Sequence, residues 1–191
     1  AFSLKVANYV GSGGNCTSAA WTCTIVDDTA NSVGLYSYIA FSPSGNAWVS
    51  YRDVTAGALK VANYVGSGGN CTSAAWTCTP VDDPANSVGL YTSIAFSPSG
   101  NAWVSYRDIT AEALKVANYV GSGGNCTSAA WNCTTVDNTG TDTGSYTSIA
   151  FDASGNAWVS YRDDTAFSLK VANYVGSGGN CTSAAWTCTI V

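Results

Sequence analysis

The chain has 191 residues, no His, and seven Lys and Arg against twelve Asp and Glu, which gives a formal net charge of −5. This balance excludes the basic surface on which nucleic-acid-binding proteins depend, and no run of about 18 apolar residues is present to predict a membrane span. Only 10% of the residues are charged, and Gly, Ser, Thr, Asn, Tyr and Trp take their place, a composition typical of secreted β-rich proteins.

The sequence repeats itself with a period of 55 residues, and residues 1–26 are identical to residues 166–191. A fixed period of this length predicts a tandem array, in which units too small to be stable alone stack on their neighbours. The recurrence of the first residues at the end predicts a stretch of a longer array or one segment of a polymer. We divide the chain into a half-unit at 1–26, the last two strands of a preceding repeat, and three repeat units at 27–81, 82–136 and 137–191.

The first half of each unit predicts a β-hairpin. In the unit 27–81, residues 27–34 are polar and end in Gly, so they predict a loop. Residues 35–41 are rich in aromatic and β-branched side chains, which favours a strand. A Ser-Pro-Ser-Gly-Asn turn at 42–46 then leads to a second predicted strand at 47–52.

The second half of the unit predicts another hairpin. A short connection at 53–58 leads to a third strand at 59–65, and Gly-rich and cysteine-containing loops lead to a fourth strand at 76–81. Because successive side chains of a strand alternate, we expect Trp48 on one face of the sheet and Val49 on the other. No helical periodicity is present.

Four short antiparallel strands per repeat predict an all-β fold of tandem four-stranded units of the β-propeller-blade type. A weaker echo between the two hairpins of a unit leaves a second architecture open, because Gly-Asn and Ala-Trp occur in both hairpins. In that alternative, the hairpins form the layers of a β-solenoid or a hairpin-ladder fibre.

The cysteines occur as four copies of Cys-x6-Cys, which predicts one local disulfide in each copy. A zinc site fits poorly, because there is no His and no second cysteine pair within a unit. Disulfides indicate an oxidising, extracellular setting, and each eight-residue loop is expected to contribute roughly 2.5 kcal/mol. The predicted pairs are Cys16/Cys23, Cys71/Cys78, Cys126/Cys133 and Cys181/Cys188.

Two segments carry a resemblance to a known family. One is Tyr-x-Ser-Ile-Ala-Phe-x-x-Ser-Gly-Asn-Ala-Trp-Val-Ser-Tyr-Arg-Asp at 91–108, and the other is Leu-Lys-Val-Ala-Asn-Tyr-Val-Gly with Cys-x4-Trp-x-Cys-x-x-Val-Asp at 114–137. They resemble the repeats of secreted bacterial β-propeller-type proteins. The resemblance covers the whole chain, and it implies a fold and secretion but little about activity.

Few residues suggest catalysis. Each unit has an Arg-Asp pair such as Arg52-Asp53, for which we expect a strand-end Arg and a turn-capping Asp. Asp27-Asp28 predicts a solvated loop rather than a calcium site, because no Asp-x-Asp-x-Asp loop is present. Without a Ser-His-Asp set or a phosphate-binding loop, we expect no enzyme, no catalytic residue, no metal and no cofactor. The acidic residues that only the last unit carries, and hence the remaining candidates for carboxylate chemistry, are Asp142, Asp152 and Asp164.

Tryptophan recurs once per hairpin, which leaves two interpretations open. Repeated rings can form sugar-stacking platforms, or they can pack between neighbouring sheets, which the repeat architecture needs. We favour packing, with sugar stacking as the alternative. The candidates for sugar stacking are Trp48, Trp103 and Trp158.

The triplet Asn-Cys-Thr has the form of an N-glycosylation acceptor. Four copies lie beside the predicted disulfides in Gly-rich and Ser-rich loops, and a fifth follows later in the unit 82–136. The predicted acceptors are Asn15, Asn70, Asn125, Asn180 and Asn132.

These features predict an extracellular structural repeat protein, a glycosylated segment of a filament, stalk or surface layer. Its partners would be copies of itself or adjoining repeats, together with covalent glycans. The alternative is a multivalent carbohydrate-binding propeller lectin, in which equivalent pockets give avidity through effective concentration. Either protein would be located outside the cell or at its surface.

Overall fold

The computed structural model describes residues 2–28, 32–84, 87–140 and 142–191. Fourteen β-strands account for the regular structure of these residues, and none of them lies in a helix. No helix long and apolar enough to cross a membrane is therefore found in the described part of the chain. Residues 29–31, in the middle of the first predicted loop, lie outside the described ranges.

The strands follow the predicted order, four to a unit, after an initial pair. They are β1 (Leu4–Tyr9), β2 (Trp21–Asp27), β3 (Val33–Phe41), β4 (Ala47–Asp53), β5 (Ala58–Tyr64), β6 (Trp76–Asp82), β7 (Val88–Phe96), β8 (Ala102–Asp108), β9 (Ala113–Tyr119), β10 (Trp131–Asp137), β11 (Thr143–Phe151), β12 (Ala157–Asp163), β13 (Ser168–Tyr174) and β14 (Trp186–Ile190).

Each strand pairs antiparallel with its neighbour in sequence. The β1–β2 hairpin is followed by three four-stranded sheets, β3–β6, β7–β10 and β11–β14. The expected all-β fold of tandem four-stranded antiparallel sheets is therefore confirmed, and the sheets do not close into a barrel. Because the sheets are separate, they also differ from one continuous hairpin ladder.

The first strand of each sheet begins two residues earlier than the sequence predicts. In β3 the pairing register with β4 shifts between Val33 and Leu35 and again between Leu35 and Tyr38. At these irregularities Gly34 has φ of 90° and Tyr36 has φ of 53°. The strand therefore continues through a bulge where the Gly of the predicted loop would otherwise end it.

The sheets β3–β6 and β7–β10 have two apolar faces, because each of their faces meets a neighbouring layer. Trp48 pairs with Asn63 and Val49 with Ala62, so these two pairs lie on opposite faces, as the alternation predicts. We call the face with Val49 the front of the sheet and the face with Trp48 the back.

The back of each sheet packs on the front of the next one. Leu59 and Val61, on the back of β3–β6, share a buried core with Ile94, Val104 and Trp131 on the front of β7–β10. The same arrangement joins β7–β10 to β11–β14 and the β1–β2 hairpin to β3–β6. The result is a series of stacked sheets whose stability is expected to be roughly a sum of unit and interface terms.

Candidate functional site: the contacts between neighbouring repeats

A buried Lys approaches two carboxylates where one sheet meets the next. Asp27, the last residue of β2, accepts a hydrogen bond from Tyr51 Oη at 2.6 Å and one from Lys60 Nζ at 2.5 Å. Asp53 Oδ2 lies 3.8 Å from the same Nζ. Asp27 and Tyr51 are fully buried, and Lys60 is 8% exposed. We call these four residues the inter-repeat cluster.

The inter-repeat cluster occurs three times with nearly the same geometry. In the second and third copies, the Tyr Oη to Asp distance is again 2.6 Å and the Lys Nζ to Asp distance is again 2.5 Å. The second Asp lies 3.9 Å from Nζ in both. Each cluster joins the last strand of one sheet to the second and third strands of the next sheet. The further copies are Asp82, Tyr106, Lys115 and Asp108, and Asp137, Tyr161, Lys170 and Asp163.

The prediction of a solvated loop at Asp27 is wrong. Asp27 ends a strand, and its carboxylate is turned into the interface, where Lys60 and Tyr51 supply donors. A buried carboxylate is tolerated when it is paired and hydrogen-bonded in this way. The sequence signal was the recurrence of Asp and Lys at the same positions of every unit, and it was missed because the two residues lie 33 positions apart.

The pKa values of the cluster reflect burial and mutual contact. Burial alone would raise the pKa of the Asp137 carboxyl, but hydrogen bonds from Lys170 and Tyr161 hold that pKa below its usual value. Burial, followed by the contact with Asp137, raises the pKa of the Tyr161 hydroxyl above its usual value. Burial also raises the pKa of Tyr51 and of Tyr106. The phenol therefore stays a hydrogen-bond donor to a charged carboxylate.

Aromatic rings form the second contact between sheets. Trp48, on the back of its sheet, packs edge to face against Phe96, Tyr119 and Trp131 of the next sheet, with ring centroids 5.7, 6.0 and 6.4 Å apart. Trp103 repeats this contact one layer later with the corresponding rings, Phe151, Tyr174 and Trp186.

Trp48 and Trp103, two of the three Trp residues proposed as sugar-stacking platforms, are therefore packed against rings of the next sheet. The third, Trp158, lies on the back of the last sheet and is 43% exposed, with its Nε1 donating to Asp152 at 3.0 Å. Three equivalent sugar sites are not present, since only Trp158 has no following sheet among the described residues. Sugar stacking at Trp158 stays a prediction.

A groove near the first hairpin is lined by rings equivalent to those that surround Trp48 one layer later. It lies between the β1–β2 hairpin and the front of β3–β6, and its lining includes Phe41, Tyr64 and Trp76. These rings are the counterparts of Phe96, Tyr119 and Trp131, which hold Trp48 one layer later. The groove therefore presents the same kinds of ring that contact Trp48 one layer later.

The predicted disulfides are formed in all four copies. Their Cα atoms lie 5.2 to 5.3 Å apart, and no described cysteine is free. Each bond joins the loop after the third strand to the fourth strand of the same unit. The bonds are Cys16–Cys23, Cys71–Cys78, Cys126–Cys133 and Cys181–Cys188.

The stretch that each disulfide closes spans eight residues, as the spacing predicts, and only part of it is a loop. The second cysteine of each pair lies inside a strand and is paired across the hairpin with an Ala of the third strand. The last three residues of the closed stretch therefore belong to the sheet. The cysteines in strands are Cys23 in β2, Cys78 in β6, Cys133 in β10 and Cys188 in β14.

Three of the disulfides also border the core between two sheets. Cys78, Cys133 and Cys188 are half-buried and pack against the cores that their sheets share with the preceding layer. Tyr106 Oη lies 3.4 Å from Cys133 Sγ, so this disulfide touches the inter-repeat cluster. Cys23 is exposed, since no preceding sheet covers the front of the β1–β2 hairpin among the described residues.

The Asn-Cys-Thr triplets have a structural role at each disulfide. Asn125 Oδ1 accepts from the Cys133 backbone N–H at 2.6 Å, and Asn125 Nδ2 donates to the Cys133 carbonyl at 3.2 Å. Thr127 Oγ1 accepts from the Asp83 N–H, where the preceding sheet ends, at 2.8 Å. The Asn closes the cysteine loop, and the Thr connects that loop to the neighbouring sheet. The same Asn–Cys contact is made by Asn15, Asn70 and Asn180.

All five candidate glycosylation acceptors are exposed. Asn15, Asn70, Asn125 and Asn180 lie in loops, whereas Asn132 lies within β10 and pairs with Asn118 of β9. Glycosylation of these residues stays a prediction.

The Arg-Asp pairs end the second strands. The Ala56 N–H donates to Asp53 Oδ1 at 3.0 Å, so this Asp caps a turn as expected, while its other oxygen faces Lys60. Arg52 donates to Ser87 of the next repeat at 2.5 Å. The side chains of Arg52 and Asp53 make separate contacts and do not form a ligand clamp.

The side chains of the three acidic residues of the last unit make separate contacts. Asp142 pairs with Arg107 at 2.5 Å, and Asp164 pairs with Arg162 at 3.1 Å. Asp152 accepts from Trp158 Nε1 and from the Ser154 and Asn156 N–H groups, which holds its pKa at about 2. Asp142 and Asp164 meet through the backbone, because the Asp164 N–H donates to the Asp142 carbonyl at 2.7 Å, and no bond described here joins two of the three carboxylates.

Tyrosines form a row along the first strands. Tyr36, Tyr91 and Tyr146 all have φ of 52 to 53°, and consecutive rings lie 4.8 and 4.5 Å apart. A positive φ at Tyr is uncommon and costs roughly 1 to 3 kcal/mol, which the contacts around it must offset. The bulge that creates this conformation was not predicted from the sequence.

Within the described ranges, no group of three or more His, Cys, Asp or Glu residues is placed to hold a metal ion. No protein-family model matches this sequence, and no curated protein matches it either. The structure itself shows tandem all-β units, each closed by a disulfide and joined by the same contacts. These features are compatible with an extracellular structural repeat protein.

Proposed function

We propose that this protein is an extracellular structural tandem-repeat protein whose sheets stack into a filament, stalk or surface layer. The proposal rests on a pair of uncovered surfaces that match the buried contacts within the chain. Trp158 has the position of Trp48 and Trp103 but no partner rings, and the groove beside Phe41 and Tyr64 has the rings but no such Trp.

The occupant of these surfaces is another repeat of the same kind, supplied in the test below by a second copy of the chain. Leu169, on the back of the last sheet, is 51% exposed, whereas its counterparts Leu59 and Leu114 are fully buried beneath the following sheet. Within the chain, the surface around this Leu is covered by the following sheet. A further copy of the repeat carries the same covering residues.

The first hairpin and the last hairpin are interchangeable. Residues 1–26 and 166–191 have one sequence, and the outer edge of β1 is unpaired, whereas β5, β9 and β13 pair at that edge with the preceding strand. Because β12 already pairs with β13 in its own sheet, β12 of another copy joins the edge of β1 only by exchange of the two identical hairpins. Unpaired strand edges of this kind favour end-to-end association.

Secretion, glycosylation of the Asn-Cys-Thr loops and kinship with bacterial propeller-type repeats belong to the same proposal. Four disulfides support an oxidising environment. The near-identity of the units supports a mechanical or display role without catalysis, because seven positions differ between 27–81 and 82–136.

The test is light scattering of the 191-residue chain after gel filtration at increasing protein concentration. We expect the average mass to rise with concentration, and we expect Trp158→Glu to keep the chain monomeric. Val120→Glu is the matched control, because Val120 is also 43% exposed but lies in a hairpin loop. A parent chain that stays monomeric up to its solubility limit would contradict the proposal.

A further inference from the structure

We propose that the inter-repeat clusters form amide cross-links, in which Lys Nζ condenses with the Asp carboxyl at the end of the preceding sheet. The pairs are Lys60 with Asp27, Lys115 with Asp82, and Lys170 with Asp137. This inference concerns a covalent modification between repeats and does not depend on the proposed function.

The first requirement is contact between the amine and the carboxyl, and all three copies meet it. Nζ lies 2.5 Å from Oδ2 in each pair, so the carboxyl carbon is only one C–O bond further away. Both partners are held by packed strands on opposite sides of an interface. Holding reactants in this way supplies much of the barrier lowering of an intramolecular reaction.

The second requirement is a group that moves protons, and a second carboxylate is present in each cluster. Oδ2 of Asp53 lies 3.8 Å from Nζ of Lys60, and Oδ1 of the same residue is held by the Ala56 N–H. Asp108 and Asp163 are placed in the same way at 3.9 Å. An ion pair alone needs no such second carboxylate.

The third requirement is stabilisation of the charge that develops on oxygen. Tyr51 Oη donates to Asp27 Oδ2 at 2.6 Å, and burial and the Asp27 contact keep this phenol protonated. A fixed donor aimed at the carboxyl oxygen stabilises the tetrahedral intermediate, particularly in a site without water. Asp27 and Tyr51 are fully buried, so such a site is present.

The reaction balances without an oxidant or a reductant. The charged pair is the starting state, and proton transfer from the ammonium to the carboxylate gives the neutral amine and acid that react. Nζ attacks the Asp27 carboxyl carbon, and a C–N bond forms. Asp53 takes a proton from Nζ and delivers it to the departing hydroxyl. The C–O bond breaks, one water leaves, and an amide remains.

The test is the intact mass of the full chain, produced without glycosylation and measured after denaturation and reduction of the disulfides. We expect a mass below that of the sequence by up to three water molecules, and tandem mass spectrometry should show branched peptides that join each Lys to its Asp. A chain that keeps the full mass of its sequence after prolonged incubation in the folded state would overturn the proposal.

Two variants identify the site of the water loss. Lys115→Arg keeps the positive charge beside Asp82 but cannot form the amide, so the maximum loss should fall by one water. Asp108→Asn keeps the turn cap through its side-chain oxygen and should slow the same cross-link, with circular dichroism confirming that both variants fold. A water loss at Asp82 that persists in Lys115→Arg would indicate a succinimide and overturn the assignment there.

Discussion

Gly34, Gly89 and Gly144 show how single residues set the distance between repeats. Each has a positive φ, of 90, 86 and 94°, at the start of a first strand. A Cβ atom on Gly144 would lie 2.9 Å from the Leu114 Cα of the preceding unit. Glycine is therefore required both by the backbone conformation and by the close approach of two sheets.

Gly144→Ala should destabilise the protein by about 3 kcal/mol, because positive-φ strain and a backbone clash add. Gly123→Ala is the matched control, since Gly123 has φ of 73° but nothing within 4 Å of its added Cβ. The control should cost about 1 kcal/mol. Urea denaturation of the three proteins measures both effects, and equal losses in the two variants would contradict the close approach.

Glu112→Gly should have the opposite effect and stabilise the protein by about 1 kcal/mol. Glu112 has φ of 52°, and the equivalent residue of the preceding unit is Gly57 with φ of 73°. The reciprocal variant, Gly57→Glu, should destabilise the protein by a similar amount. Thermal unfolding measures both shifts, and a lower midpoint for Glu112→Gly would show that the Glu side chain contributes more than its backbone costs.

At the scale of the element, each fourth strand is tied to its own unit and to the preceding sheet. The Cys126–Cys133 bond closes the stretch that leads into β10, and the Thr127 hydroxyl in that stretch contacts Asp83 at the end of the preceding sheet. The disulfide therefore stabilises one repeat and also orders a contact with its neighbour.

A chain with both Cys126→Ser and Cys133→Ser should lose about 2.5 kcal/mol, which the chain-entropy estimate assigns to an eight-residue loop. The double change avoids leaving a free thiol, and the other three disulfides stay intact. Guanidinium denaturation without reductant measures the loss. An unchanged free energy of unfolding would show that hydrogen bonds from Asn125 hold the loop without the bond.

The turn before β12 makes the stability of the protein depend on pH, whereas the equivalent turns before β4 and β8 do not. Hydrogen bonds from Trp158 and Asn156 hold the pKa of Asp152 at about 2, below its usual value of about 4. A carboxyl with a lowered folded pKa stabilises the protein above its unfolded pKa. This stability is lost as the pH falls from about 4 through about 2.

Asp152→Ser should remove that loss, because Ser42 and Ser97 occupy the equivalent positions of the other two turns. Urea midpoints measured from about pH 7 down to about pH 2 should fall more steeply for the parent chain than for the variant. Parallel curves for the two proteins would show that the Asp152 contacts do not favour the charged carboxyl.

The sequence predicted the elements better than the contacts between them. Alternating side chains and the Ser-Pro-Ser-Gly-Asn turn located the strands to within a few residues. The inter-repeat cluster was missed, because Asp27 and Lys60 become neighbours only when the sheets that hold β2 and β5 stack. The bulge at Tyr36 was missed as well, since neighbouring contacts override the preference of Tyr for negative φ.

The disulfides show the same division between what the sequence reveals and what it does not. The Cys-x6-Cys spacing predicted every pair, because two cysteines so close in sequence need only a local turn to meet. The predicted fourth strand already contained Cys78, but the spacing could not show that Cys78 and Cys188 pack against a core shared with the preceding sheet. That placement depends on how the layers stack.

At the scale of the whole molecule, one set of contacts is used repeatedly between successive sheets. The charged clusters and the Trp contacts recur with a period of one repeat, so every layer presents the surface that the next layer needs. Sheets packed face to face lie about 10 Å apart, which sets the expected spacing of layers along the stack.

Electron microscopy of the unreduced protein tests the proposed assembly most directly. The stacking account predicts filaments, with a layer spacing of about 10 Å between consecutive sheets. It also predicts that Trp158→Glu abolishes them while Val120→Glu does not. Discrete closed discs, or single particles at concentrations where the chain is fully folded, would contradict stacking between copies as the basis of the function.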